Sequence, residues 1–177
     1  MAFSVPDRIF ETFRDVTPEF LLKHSIRCVL CDIDNTLVTY DDAEPTDAVK
    51  EWLKTLSDAG IAVVFLSNNT DGRVRTFANA VGNAWYAPAG KPFTKTAKKA
   101  LRIHGFSASE TAVLGDQIFT DVWTGDFLGA KLTLLVPPIK DKKSFFFRTK
   151  RILEKPFLAT YRRREKRNSK SNTEVSR

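Results

Sequence analysis

Three apolar runs in this chain each stop at a residue with chemistry to offer. Ile26-Arg27-Cys28-Val29-Leu30-Cys31 runs into Asp32, Ile61–Leu66 into Ser67, and Thr111–Leu114 into Gly115-Asp116. A run that is apolar at consecutive positions, rather than at alternate ones, belongs to a strand covered on both faces. Helical spacing fills the intervals. A helix opened by Pro45 is predicted through Ala59, with Val49, Trp52, Leu53 and Leu56 on one face and Gly60 as its stop. Further helices are predicted over Asp71–Val81, over Lys95–His104 led by Pro92, and over Phe119–Leu128 up to Gly129. Trp85–Ala87 and Lys131–Val136 read as two more strands. Residues 5–25 mix Phe, Ile and Leu with charges at roughly helical spacing, which predicts one or two short amphipathic helices.

Apolar strands alternating with helices imply an α/β fold, a three-layer α/β/α Rossmann-like parallel sheet. Ligands of such sheets sit at the carboxyl ends of the strands. Asp32, Ser67 and Asp116 stand at those ends. The expected organisation is an N-terminal amphipathic helical segment over 1–25, a catalytic core over 26–136 and a basic extension over 137–177.

Asp32-Ile33-Asp34-Asn35-Thr36 puts two carboxylates one residue apart at the end of a buried strand. Two acids so close repel unless a cation or proton lies between them. A hard cation with oxygen ligands, Mg²⁺ above all, resolves that repulsion. The bland alternative is an acidic turn after a strand. Ser67, followed by Asn68 and Asn69, offers a hydroxyl and backbone N–H groups that open toward a helix, an arrangement suited to phosphate oxygens. An ordinary loop with local side-chain bonds has the same composition. Lys91 before Pro92 is either a fixed positive charge or one surface lysine among many. Gly115-Asp116-Gln117-Ile118-Phe119-Thr120-Asp121 again places an acid at a strand end, with a second five residues on. Asp116 can complete a magnesium site; Asp121 ligates directly, ligates through water, or favours the helix N-terminus.

In this order, and each at a strand end, the four segments resemble the motifs of the haloacid dehalogenase superfamily of phosphohydrolases. Asp32, Asp34 and Thr36 match the first motif, Ser67 the second, Lys91 the third, and Gly115, Asp116 and Asp121 the fourth. The resemblance covers about residues 26–136. It implies a magnesium-dependent phosphatase in which Asp32 is the nucleophile and Asp34 protonates the leaving oxygen and then activates water. The implied catalytic set is Asp32, Asp34, Ser67 and Lys91. The implied phosphate-binding set is Thr36, Ser67, Asn68 and Lys91. The implied metal-binding set is Asp32, Asp34 (through its backbone carbonyl), Asp116 and Asp121.

Cap domains choose the substrate in this superfamily. Thirty residues separate Thr36 from Ser67, and a loop and a helix use them; the interval from Ser67 to Lys91 is shorter still. The fold is therefore expected to be capless, and capless members take large substrates or borrow a neighbouring subunit as a lid. The small core, the N-terminal amphipathic stretch and the basic C-terminus resemble the YqeG subfamily (subfamily IIIA), which a mitochondrial phosphatidylglycerophosphate phosphatase of yeast also resembles. That likeness makes a phosphomonoester on a membrane lipid, phosphatidylglycerophosphate, the first substrate expectation. A small soluble phosphomonoester (a nucleotide or sugar phosphate) is the second. A fold retained as an RNA- or ribosome-binding scaffold is a third, disfavoured by the intact motif set.

Charge is divided unevenly. Residues 1–136 carry 14 Lys/Arg against 17 Asp/Glu, a net of −3, whereas residues 137–177 carry 14 against 4, a net of +10. A strongly basic tail points to an anionic partner, a membrane surface or nucleic acid. Residues 142–167 interleave aromatic and aliphatic side chains with Lys and Arg, as in a helix lying at a membrane interface. The competing expectation packs Phe145, Phe146, Phe147, Ile152, Leu153, Phe157 and Leu158 onto the domain. A nucleic-acid track using Tyr161 is the less favoured third option. From Asn168 onward the chain is polar and expected to be disordered.

Cys28 and Cys31 form a C-x-x-C inside an apolar run. Residues three apart on a strand point to opposite faces, so the thiols are expected to be separate, buried and reduced rather than a metal or redox pair. No stretch approaches the ~18 apolar residues of a spanning helix, and the N-terminus lacks the pattern of a secretory signal. The expected location is the cytoplasm, peripheral at the membrane if the tail engages lipid. The oligomeric state is not legible in the sequence.

Overall fold

The computed structural model describes residues 5–140 and 155–164. Its centre is a six-stranded, all-parallel sheet of β1 (Arg8–Ile9), β2 (Cys28–Cys31), β3 (Ala62–Leu66), β4 (Trp85–Tyr86), β5 (Thr111–Gly115) and β6 (Leu132–Leu135). The strand order is β1-β6-β5-β2-β3-β4. β2 lies between β5 and β3, so the order reverses beside it, and the crevice at its carboxyl end is the switch point where such sheets bind ligands.

Five helices cover the sheet: α1 (Pro18–Lys23), α2 (Asp47–Asp58), α3 (Asp71–Asn79), α4 (Lys95–His104) and α5 (Trp123–Leu128). One face holds Val29, Cys31, Val63, Phe65, Ala112 and Leu114, against residues of α1, α2 and α3. The other holds Cys28, Leu30, Val64, Leu66 and Val113, against Ala97, Ala100 and Leu101 of α4 and Leu128 of α5. Cys28 and Cys31 thus lie in different layers, buried and unpaired with each other.

The local chemistry explains the elements. Thr46 caps α2 by accepting the Val49 N–H, and the expected face of Val49, Trp52, Leu53 and Leu56 is buried. Burying each such side chain contributes on the order of 1.5–3 kcal/mol. Gly60 then turns the chain at a positive φ of 74°. Gly125 lets α5 lie close on the sheet, where an added Cβ would overlap the Thr133 side chain.

Three expectations need correction. Helices alone were expected over 5–25, but Arg8–Ile9 is an edge strand parallel to β6. Backbone bonds from Asp7 N–H to Thr133 O and from Phe10 N–H to Leu135 O secure it, and the Asp7 carboxylate accepts the N–H and hydroxyl of Thr133. Two residues of edge strand carry no periodicity to read. Pro92 does not lead α4. The helix begins at Lys95 after Thr94, and Lys91-Pro92 is a cis peptide in the preceding turn. The helix expected from Phe119 begins instead as one π-helical turn over Ile118–Val122 before α5.

Residues 155–164 are helical. Phe157 and Leu158 pack against a small cluster of Ile118, Val122 and Leu135, as the packing expectation held. The Tyr161 hydroxyl is buried and accepts the Ile9 N–H at 3.2 Å. Arg162, Arg163 and Arg164 are exposed. Phe145, Phe146, Phe147, Ile152, Leu153, Lys166 and Arg167, and the chain from Asn168, lie outside the described residues. Among those described, no helix is long and apolar enough to cross a membrane.

Candidate active site

Every motif residue except Asn68 is buried, and all lie at the carboxyl edge of the sheet. Asp32 follows β2 directly, its N–H paired to Leu114 O of β5. Its Oδ1 accepts from Lys91 Nζ at 2.6 Å and its Oδ2 from the Thr36 hydroxyl at 3.3 Å. Lys91 Nζ also donates to Asp121 Oδ1 at 2.6 Å, so one buried ammonium bridges two buried carboxylates. Asp121 is brought in by the π-helical turn, where its Oδ2 accepts the Gln117 N–H at 3.1 Å. Gly115 makes room for it, since a Cβ there would overlap the Asp121 carboxyl group.

Asp32, Asp116 and Asp121 each present a carboxylate oxygen, and these oxygens lie within 4.8 Å of one another. Three converging buried carboxylates are a donor set for a hard divalent cation, and among the described residues no histidine or cysteine joins them. Charge balance agrees. Asp32, Asp34, Asp116 and Asp121 contribute four negative charges, and Lys91 with Arg73 return two, leaving a deficit that one divalent ion matches. The residues present therefore fit the magnesium that the motifs imply.

Asp34 lies outside that cluster of side chains. Its Oδ1 accepts from Arg73 Nε at 2.8 Å and forms an ion pair with Arg73 Nη2 at 2.6 Å, and its Oδ2 accepts from Asn69 Nδ2 at 2.9 Å. The loop after it turns tightly. Asn35 has a positive φ of 65°, and its N–H donates to Val38 O at 2.6 Å. Ser67 Oγ is buried and accepts the Asn69 N–H at 3.1 Å. Asn68 is exposed, and its amide grips the Lys91 backbone twice, accepting the N–H at 2.7 Å and donating to the carbonyl at 2.9 Å. Sequence reasoning missed Arg73 and the side chain of Asn69. Asn69 stands just before the N-cap of α3 and Arg73 in its first turn, and no pattern along the chain marks either as facing Asp34.

Over 162 residues the chain is 32% identical to the probable phosphatase YqeG of Bacillus subtilis (strain 168), an alignment that covers 92% of this chain and 94% of that protein. This chain belongs to the YqeG family of phosphatases. Membership in that family makes it a phosphomonoester hydrolase, and its motif residues stand as in the haloacid dehalogenase superfamily that the sequence resembles. No family model matches the chain. Solved structures share the fold. A cobalt-bound deoxy-D-mannose-octulosonate 8-phosphate phosphatase from Haemophilus influenzae superposes with a TM-score of 0.53 at 19% identity, over 72% of this chain and 75% of that one. An uncharacterized protein from Listeria monocytogenes serotype 4b superposes with a TM-score of 0.54 at 16% identity, over 67% and 85%.

The electrostatics of the YqeG-family site follow from its burial. Burial pushes the Asp32 carboxyl up to about 7; Lys91 opposes the rise, and Asp121 and Asp34 add to it. Burial alone would lower Lys91, but the charges of Asp121 and Asp32 outweigh it and hold the ammonium above the ordinary lysine value. Burial also raises the half-buried Tyr40 phenol, with Asp116, Asp32, Asp34 and Asp121 all adding to the effect.

Proposed function

We propose that this phosphatase works through an aspartyl-phosphate on Asp32, with Mg²⁺ held by Asp32, the Asp34 carbonyl, Asp116 and Asp121. The convergence of the Asp32, Asp116 and Asp121 carboxylates with Lys91 at one strand edge carries the reading. When bound, the ion neutralises phosphoryl oxygens and eases the approach of a carboxylate to an anionic ester. Thr36 and Lys91 orient the Asp32 carboxylate, and Ser67 with Lys91 holds the phosphoryl oxygens in line. Asn68 serves the phosphate site by fixing the Lys91 backbone. An Asp32 oxygen attacks phosphorus, the bond to the ester oxygen breaks, and that oxygen takes a proton from Asp34. Water then attacks the acyl phosphate and gives its proton to Asp34, and phosphate leaves as Asp32 is restored.

The substrate in this reading is a phosphomonoester on a lipid head group, phosphatidylglycerophosphate. Three features support it: the net charge of +10 over residues 137–177, the exposed Arg162, Arg163 and Arg164, and Phe93, 77% exposed two residues beyond Lys91. The test is turnover of a panel with Mg²⁺: the lipid phosphate in mixed micelles, a nucleotide and a sugar phosphate. The expected result is fastest hydrolysis of the lipid, dependence on Mg²⁺, and none by Asp32→Asn at native-like Tm. Full activity of Asp32→Asn overturns the nucleophile assignment, undiminished turnover in EDTA overturns the metal, and preference for a soluble ester overturns the lipid.

A further inference from the structure

We infer that Arg73 is a positioning residue for proton transfer, a clamp that aims one oxygen of Asp34 at the ester oxygen. The inference rests on the Asp34 role proposed above and adds a residue outside the four motifs. Arg73 stands in the first turn of α3 with both Nε and Nη2 on Asp34 Oδ1. Nη2 donates its hydrogen bond to Thr39 O at 3.0 Å. One guanidinium therefore ties down both ends of the tight loop that starts at Asp34 and returns at Val38. A carboxylate oxygen has two lone-pair directions. Arg73 Nε takes one of Oδ1, and Nη2 stands against the same oxygen at 2.6 Å as an ion pair. Asn69 fills one of Oδ2 and leaves the other open. Oδ2 is then the oxygen through which the proton passes, and its direction is set by Arg73 and Asn69 together. A planar fork with two fixed donors suits this task, which the single rotating ammonium of lysine does not reproduce.

The test compares two esters in the first turnover, where only the step that releases the alcohol is read. An alkyl phosphate needs its leaving oxygen protonated, and 2,4-dinitrophenyl phosphate does not. Positioned general acids contribute ~100-fold or more. Arg73→Gln is expected to slow the alkyl ester by ~100-fold and the dinitrophenyl ester by less than ~5-fold, with KM little changed. Arg73→Lys should fall between Arg73→Gln and the unaltered protein. Asp34→Asn should show the same selectivity, and the double variant should be no slower than Asp34→Asn alone. Equal losses on both esters, a raised KM as the main effect, or multiplicative losses in the double variant would overturn the clamp. A full first turnover of the alkyl ester by Asp34→Asn would instead overturn the role of Asp34 itself. A Tm of Arg73→Lys near that of the unaltered protein separates these results from misfolding.

Discussion

Lys91 carries a buried positive charge that two carboxylates share, and Asp32 carries a carboxyl that burial lifts to about 7. The second fact has a sign. The folded-state pKa of Asp32 stands above its ordinary value of 3.8. The metal-free fold therefore binds more protons than the unfolded chain between these values, and it loses stability as pH rises through that window. A divalent cation takes the carboxylate, so its binding releases a proton below the window's upper end. The rise in Tm produced by one fixed magnesium concentration should thus be smaller at about pH 5.5 than at about pH 8. Scanning fluorimetry across that range checks it, and a pH-independent gain would remove Asp32 from the ligand set. At this scale the strand ends marked Asp32, Ser67 and Asp116, whereas Lys91 and Asp121, which follow no strand directly, were marked only through the resemblance of the ordered motifs. The sequence did not show Arg73, because an arginine inside a helix carries no mark until the helix is placed against a particular loop.

The elements that deliver Asp116 and Asp121 are β5 and the π-helical turn, and Gly115 is where they touch. Adding a methyl there meets the Asp121 carboxyl group rather than open space. Overpacking of this kind costs about 1–3 kcal/mol. Gly115→Ala should lose about that much stability in urea unfolding, and magnesium titration should show much weaker binding. Gly60→Ala, at a positive φ with no neighbour within 4 Å, should lose stability while keeping its magnesium affinity. Equal magnesium affinity in the two variants would show that Asp121 is not needed at the metal. The strands β2, β3 and β5 were legible because they are apolar at consecutive positions, and α2 because its apolar face repeats at helical spacing. The π-helical turn was not, because its extra residue is set by where Asp121 must reach and not by a pattern along the chain. β1 was not, because its two residues owe their conformation to the β6 backbone.

Across the whole molecule, charge is arranged in two regions with different attachments. The helix at 155–164 is fastened to the body by Phe157, Leu158 and Tyr161, while its three arginines face outward. Packing and interfacial binding are thus compatible uses of one helix. Replacing Arg162, Arg163 and Arg164 by Ser should leave Tm and the turnover of a soluble phosphomonoester unchanged. It should weaken co-flotation with anionic vesicles, most clearly at low salt, where each basic residue near such a surface contributes about 1 kcal/mol. Unchanged flotation with loss of RNA binding would turn the proposed partner from lipid to nucleic acid.

The pairing of β1 with β6 also fixes an order of events during synthesis. Ribosomes deliver the chain N-terminus first, at about 5–20 residues per second. Arg8 and Ile9 are thus made well before Leu134 and Leu135, the residues they pair with. At that rate the first strand waits about 6–25 seconds for β6, the strand it pairs with. Asp32 waits a shorter time for Lys91 and then for Asp116. Asp32, Lys91 and Asp116 are therefore all synthesised before the strand that β1 must pair with.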